Sequence, residues 1–261
     1  MCTKVTTALL SPASHQAAAP DTRLADRLAG TRPSATGAAG ARARALAAQG
    51  RDIISLSEGE LDFDTPAHIR QAAIRAIEGG ETRYTDTGGT PRLKAAVMHK
   101  FVRDNGLAFQ PDQVIASTGA KQILFNALLA TVGAGDEVVV VAPYWVSYSE
   151  MVRIAGGTPV VVTTDAASGF KLTPASLAAA LTPRTRWLML NAPGNPSGAL
   201  YTADELRALA AVVARHPRLL VRPTTFTRRS CSMVLFALSP RRRPTCCRAP
   251  SPSTVFPRPT P

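Results

Sequence analysis

From Gln113 to Val221 the chain alternates short Val- and Leu-rich segments with amphipathic ones, and this alternation restricts the fold more than any other feature. Strands are expected at Gln113–Ser117, Glu137–Val141, Pro159–Thr163, Arg186–Leu190 and Arg218–Val221. Helices are expected at Ala120–Val132, Val146–Ala155, Pro174–Leu181 and Ala203–Arg215. Strands with continuous rather than alternating apolar character are buried on both faces. With a helix between each pair, they specify an α/β fold with a mostly parallel sheet and helices on both faces. In such sheets ligands bind beyond the carboxyl ends of the strands, so the loops that follow the strands are where chemistry is expected.

Upstream the pattern is looser. Residues 1–50 are Ala-rich, with a helix expected from Ala38 to Gln49, and Ile53–Leu56 has the β-branched character of a short strand. Thr65 and Pro66 suit the cap and first position of a helix whose apolar face is Ile69, Ala73, Ile74 and Ile77, ended by Gly79-Gly80. A further helix is expected from Pro91 to Asn105, closed by Gly106.

Three strand-end loops stand out. In Ser117-Thr118-Gly119-Ala120-Lys121, glycine permits a sharp turn and the N–H groups of Ala120 and Lys121 open a helix, a geometry that seats an anion such as phosphate. It lacks Walker A spacing, and an ordinary tight turn would use the same residues. In Pro143–Tyr148, Trp145 can stack on a planar ligand or plug a helix–sheet junction. In Asn191-Ala192-Pro193-Gly194-Asn195-Pro196-Ser197-Gly198, paired prolines and glycines stiffen the connection. A cis Asn195–Pro196 bond would aim the Asn195 amide into the strand-end crevice.

Composition changes abruptly after Val221. Residues 222–261 contain no Asp, Glu, Lys or Gly, hold eight arginines and carry three of the four cysteines. Most of the net charge of +12 therefore lies in the tail. A tail rich in Arg and Pro is expected to be disordered. Weak nucleic-acid binding through its charge is an alternative, although its only aromatic residues are Phe226, Phe236 and Phe256. The body of the chain has no cysteine after Cys2, which excludes a disulfide framework there and fits a reducing, cytoplasmic setting. No CxxC pair is present, so no metal site is expected. No apolar run spans a membrane, and the patch at Ala8–Leu10 is too short for a signal-peptide core.

A phosphate seat, an aromatic platform and a polar side chain for a ring oxygen together describe a site for pyridoxal 5'-phosphate. From Arg32 to Val221 the chain resembles the class I, fold type I aminotransferases, especially the bacterial aspartate and prephenate group. The resemblance is carried by PSAT (33–36), EGELDFDTP (58–66), RYTDTGGTPRLK (83–94), STGAKQILFNAL (117–128), GAGDEVVVVAPYWVSYSEMV (133–152) and NAPGNPSGALY (191–201), in that order. Leu61 stands where proline is usual and Gly194 where asparagine is usual. The resemblance implies that the backbone amides of Gly119, Ala120 and Lys121 hold the cofactor phosphate, that Trp145 stacks on the ring, and that Asn195 bonds its phenolic oxygen. It also implies that Tyr84 reaches the phosphate of the neighbouring subunit in a homodimer. Gly59 would present its N–H to the substrate α-carboxylate, alongside Trp145 and Asn195. Arg32 would lie near the distal carboxylate, unless it is only a surface arginine beside Pro33. Amino-acid and 2-oxo-acid substrates follow from the same resemblance.

The resemblance also implies residues without a match here. The Schiff-base lysine lies downstream of the NPxG loop in the family, but the last lysine of these residues is Lys171. No acid follows Glu205 to protonate a pyridine nitrogen, no tyrosine follows Tyr201, and no tail arginine sits in a motif that would clamp a carboxylate. The organisation expected is a poorly ordered segment 1–30, the N-terminal part of a small domain over 31–65, an incomplete cofactor-binding large domain over 66–221, and a non-family tail over 222–261. A frameshift or truncation near codon 221 is the expected origin of the break. A non-catalytic binding or dimerisation module on the same fold is the alternative. The expected sheet is interrupted and has exposed edges, which makes the isolated chain marginally stable or aggregation-prone. A urea melt should be shallow; a steep cooperative transition would contradict this expectation.

Overall fold

The computed structural model describes residues 25–28, 31–57, 59 and 63–225, with side chains described as far as 221. The expectations for the first 24 residues, for most of the Glu58–Asp62 segment and for the arginine-rich tail beyond 225 fall outside the described residues.

The core is a four-stranded sheet of β1 (Glu137–Ala142), β2 (Thr158–Thr163), β3 (Thr185–Ala192) and β4 (Leu220–Thr225), ordered β2-β1-β3-β4. Every pair is parallel. Helices α5 (Ser147–Ile154), α6 (Pro174–Ala180) and α7 (Ala203–Val213) form the crossovers, and α4 (Ala120–Thr131) precedes β1. Alternate residues of the central strands feed two cores. Val138, Val140, Trp187 and Met189 face Leu124 and Leu128 of α4 and Met151 and Val152 of α5. Val139, Leu188 and Leu190 face Leu177 of α6 and Leu209 and Val212 of α7. The chain steps from β1 to β2 with its helix on one face, then reverses past β1 to β3 and β4 with helices on the other. Right-handed crossovers produce this change of face. The α/β class and the parallel sheet therefore agree with the sequence.

Several boundaries differ from expectation. Helix α1 runs Ala35–Ala47 because Ser34, three residues earlier than anticipated, caps it: its Oγ accepts from Gly37 N–H at 3.2 Å. Thr65 does not cap α2 (Ala67–Glu78); extended Pro66 occupies that position without a side-chain bond. Helix α3 (Pro91–Asn105) is as expected, with Thr90 Oγ1 accepting from Leu93 N–H at 3.2 Å and Gly106 closing it at φ 65°. Strand β4 extends four residues past Val221 because β3 continues to offer a ladder, through the pairing of Ala192 with Thr225. Its position at the sheet edge tolerates Pro223.

Two expected strands are not strands. Ile53–Leu56 pairs with nothing among the described residues, and Ile54 and Leu56 are 86% and 92% exposed. Residues 113–117 follow a 3₁₀ turn at Pro111–Gln113 and lie outside the sheet, tied by Ala116 N–H donating to Gly88 O at 2.9 Å. Val114 is buried and Ile115 exposed, so the strand-like alternation survives without a ladder. A β conformation needs a neighbour to take its backbone bonds. None is offered there, so the four remaining strands form a continuous sheet rather than the interrupted one expected.

At the amino edge of the sheet, the 7%-exposed Glu137 joins β1 to the turn before β3. It accepts from Thr182 Oγ1 at 2.5 Å and from Arg184 Nη2 and Nε at 2.6 and 2.9 Å. The Thr182 hydroxyl and then Arg184 hold its carboxyl below the usual carboxylate range. A depressed folded-state pKa gives stability that is complete above the unfolded-state value and is lost as pH falls through the folded-state one. Glu137→Gln should therefore cost about 1 kcal/mol at neutral pH, discounted for the exposed arginine. It should also flatten the acid limb of a plot of urea midpoint against pH. An unchanged acid limb would contradict this role.

Candidate functional site

The order in which strands are added reverses between β1 and β3, and in such folds the crevice at the carboxyl ends of these strands receives the ligand. Two of the three loops singled out in the sequence leave these strands side by side: Pro143–Val146 after β1 and Pro193–Gly198 after β3. The third opens α4, and Lys121 brings it to the same edge, with Nζ 4.8 Å from the centroid of the Trp145 ring.

At the start of α4, Gly119 has φ 101°, a conformation that side-chain-bearing residues rarely adopt. A Cβ there would meet nothing within 4 Å, so backbone conformation, and not space, is what requires glycine. The loop is fixed by Gln122, whose Oε1 accepts from Thr118 N–H at 3.1 Å, from Thr118 Oγ1 at 2.6 Å and from Ser117 Oγ. The N–H groups of Ala120 and Lys121 have no acceptor among the described residues and stand at the positive end of the helix dipole. The role of Gln122 was not read from the sequence, although a side-chain acceptor in the first turn of a Gly-opened helix is a recognisable signal.

Trp145 is half-buried. It packs on the core shared by α4 and α5 and meets Tyr148 edge-on, with centroids 5.4 Å apart and planes at 86°. It therefore plugs the junction, while one face of its ring meets the Lys121 ammonium. The Asn195–Pro196 bond is cis, as are Ala142–Pro143 and Ala192–Pro193. The β3 loop closes on itself, with Gly194 N–H donating to Ala199 O at 2.9 Å and Gly198 N–H to Gly194 O at 2.7 Å. This leaves Asn195 exposed at the edge. Asn191, noted in the sequence only as the start of this loop, has Oδ1 and Nδ2 buried without a hydrogen-bond partner. By alternation with Trp187 and Met189 it faces the α4 side of the sheet, which places unspent hydrogen-bonding capacity there.

Arg32 is also brought in. Its N–H donates to Glu150 Oε2 at 3.3 Å, and with Lys121, Gln122, Phe125 and Met151 it lines a cavity of about 620 Å³. Glu150, which the sequence reading passed over, is ion-paired to Arg153 at 2.5 Å. Tyr84 and Gly59 are not brought to the cradle. Tyr84 is wholly exposed on the loop between α2 and α3, and Gly59 is exposed with open space around it. No cluster of three or more metal-ligating side chains exists among the described residues. No helix among them is long and apolar enough to cross a membrane.

A parallel sheet whose strand order reverses, with helices on both faces, is the fold of the fold type I pyridoxal-phosphate enzymes. The family profile of class I and II aminotransferases matches residues 51–222, and the chain belongs to this family. It is 56% identical over 198 residues to the aspartate/prephenate aminotransferase of Cereibacter sphaeroides, covering 76% of this chain and 50% of that protein. It is 55% identical over 178 residues to an aspartate aminotransferase of Rhizobium meliloti, covering 68% and 43%. The crystal structure of an aspartate aminotransferase from Rhizobium meliloti superposes with a TM-score of 0.73 at 51% identity, covering 76% of this chain and 50% of that one. That of the Thermus thermophilus enzyme with maleate gives 0.73 at 40%, covering 78% and 60%. The chain spans about half the length of the curated relatives it matches. The family uses pyridoxal 5'-phosphate, and the free amides of α4, the Trp145 face and the unspent Asn191 amide fit such a ligand.

Gly119→Ala should cost about 1–3 kcal/mol, since it forces a side chain into a glycine-only conformation. The check is the urea midpoint of the variant against that of the parent; equal midpoints would show that the loop relaxes.

Proposed function

We propose that this chain carries the cofactor seat of an aspartate- or prephenate-type aminotransferase, for transfer of an amino group between an amino acid and a 2-oxo acid. We further propose that the 261 residues alone do not complete the reaction. The observation that carries the reading is the convergence of two strand-end loops and the start of α4 at one switch point. Residues Gly119, Ala120 and Lys121 would hold the phosphate through backbone N–H groups, Trp145 would lie against the ring, and Asn195 would donate to its phenolic oxygen. When bound, the cofactor supplies an aldehyde for amine exchange and a ring that accepts electrons. The cavity lined by Arg32 would take the distal carboxylate of a dicarboxylic substrate, and Gly59 its α-carboxylate. Tyr84, wholly exposed, is available to a neighbouring subunit, which supports a homodimer in which each phosphate is met from across the interface. The organisation into a small-domain segment over 31–65, a large-domain segment over 66–221 and a tail, and a cytoplasmic setting without membrane or nucleic-acid partners, belong to the same reading.

Transamination needs an amine that binds the carbonyl and returns its proton, and these residues have no lysine after Lys171. The chain should therefore bind cofactor analogues without transaminating aspartate. Titration with pyridoxine 5'-phosphate, which has an alcohol in place of the aldehyde, should quench indole fluorescence. Trp145→Phe should remove most of the quench. Asn195→Ala should weaken binding by about 1 kcal/mol, the worth of one hydrogen bond. Absence of saturable binding would overturn the proposed seat. Aspartate turnover above background would overturn the claim that the reaction is incomplete.

A further inference from the structure

Four lysines fall in the described part of the chain, and three have oxygen partners. Lys94 Nζ donates to Pro111 O at 3.2 Å, Lys100 Nζ to Asn105 Oδ1 at 3.1 Å, and Lys171 Nζ to Glu205 Oε1 at 2.5 Å. Lys121 differs. Its ammonium lies over the Trp145 face, 4.8 Å from the centroid, with no oxygen partner among the described residues, and its side chain lines the cavity of about 620 Å³. A cation over a ring in contact with water is weakly held, so a flat ligand can displace it.

One residue therefore presents two groups to the same ligand. The backbone N–H of Lys121 belongs to the anion seat, and its Nζ, at the end of a flexible four-carbon stem, reaches the aromatic face on which a ring would stack. A ligand with a phosphate at one end and an aldehyde on its ring would lie along this side chain. We propose that Lys121 captures a pyridoxal-type aldehyde covalently, an amine in the cradle distinct from the downstream lysine for which these residues have no match. This rests on the cofactor seat proposed above. The ammonium gives a proton to solvent, and the nitrogen lone pair adds to the aldehyde carbon. The carbonyl oxygen then leaves as water, and a carbon–nitrogen double bond remains. The condensation is redox-neutral and requires no further reactant. Proximity confines it to Lys121, since only its Nζ among the described lysines lies over the Trp145 ring and the other three have oxygen partners.

The test is incubation of the full chain with pyridoxal 5'-phosphate, reduction with borohydride and peptide mapping by mass spectrometry. The adduct should sit on the peptide that contains Lys121, favoured by about tenfold over any other lysine. Pyridoxine 5'-phosphate should compete it away. Lys121→Arg should lose the adduct and Lys171→Arg should keep it. Label spread evenly over the lysines, or no label on a chain that binds pyridoxine 5'-phosphate, would overturn the capture and leave the seat intact. Failure to bind pyridoxine 5'-phosphate would remove the seat and, with it, the capture.

Discussion

The parallel ladder between β1 and β3 is the constraint on which the rest of the molecule depends. Both strands are apolar on both sides, with Val138 and Val140 facing one helical layer and Val139 the other, so the sheet requires a cover on each face. Once β1 has β2 on one side and β3 on the other, the connections must reverse, and the reversal opens a crevice at the carboxyl ends. The same pair is fastened at the opposite end by Glu137, which ties β1 to the turn entering β3 through Thr182 and Arg184. The site and the fastening thus occupy two ends of one strand pair, and the rigidity of the scaffold sets the spacing of the site.

The crevice gathers groups that are unremarkable one by one. A glycine with positive φ is common at a helix start, and a tryptophan at a strand end is often only packing. Their conjunction is what marks the candidate site: amides with no acceptor, an indole face already attracting the Lys121 ammonium, and the buried, unpaired amide of Asn191. A buried polar group without a partner is costly, and in native structures such groups are few. Away from the crevice, α2 buries no residue and Ile54, Leu56 and Phe63 are strongly exposed. The surfaces around α1 and α2 are much less covered than the sheet, as fits a chain spanning about half the length of the proteins it resembles.

Legibility differed between elements for physical reasons. Helix α3 was readable to the residue because threonine, proline and glycine each impose local geometry that needs no tertiary help. Residues 53–56 and 113–117 were misread as strands because their alternation is a local property, whereas a strand exists only if a neighbour supplies hydrogen bonds. The end of β4 was placed too early because the change in composition suggested a boundary, while its length follows from the length of β3. At the candidate site, Gly119, Trp145 and Asn195 were singled out as candidates by motif and position. Gln122, Glu150 and the orphaned Asn191 amide were not, since each takes its meaning from what lies around it in space.

The sequence alone determined the class of fold and the family, because linked motifs and continuous apolar strands encode them locally. Tertiary structure decided which strands pair, which residues face the crevice, and that Lys121 lies over Trp145 with Arg32 lining the same cavity. Those are distances between segments far apart in the chain, fixed by packing on two faces of one sheet and invisible to any local pattern.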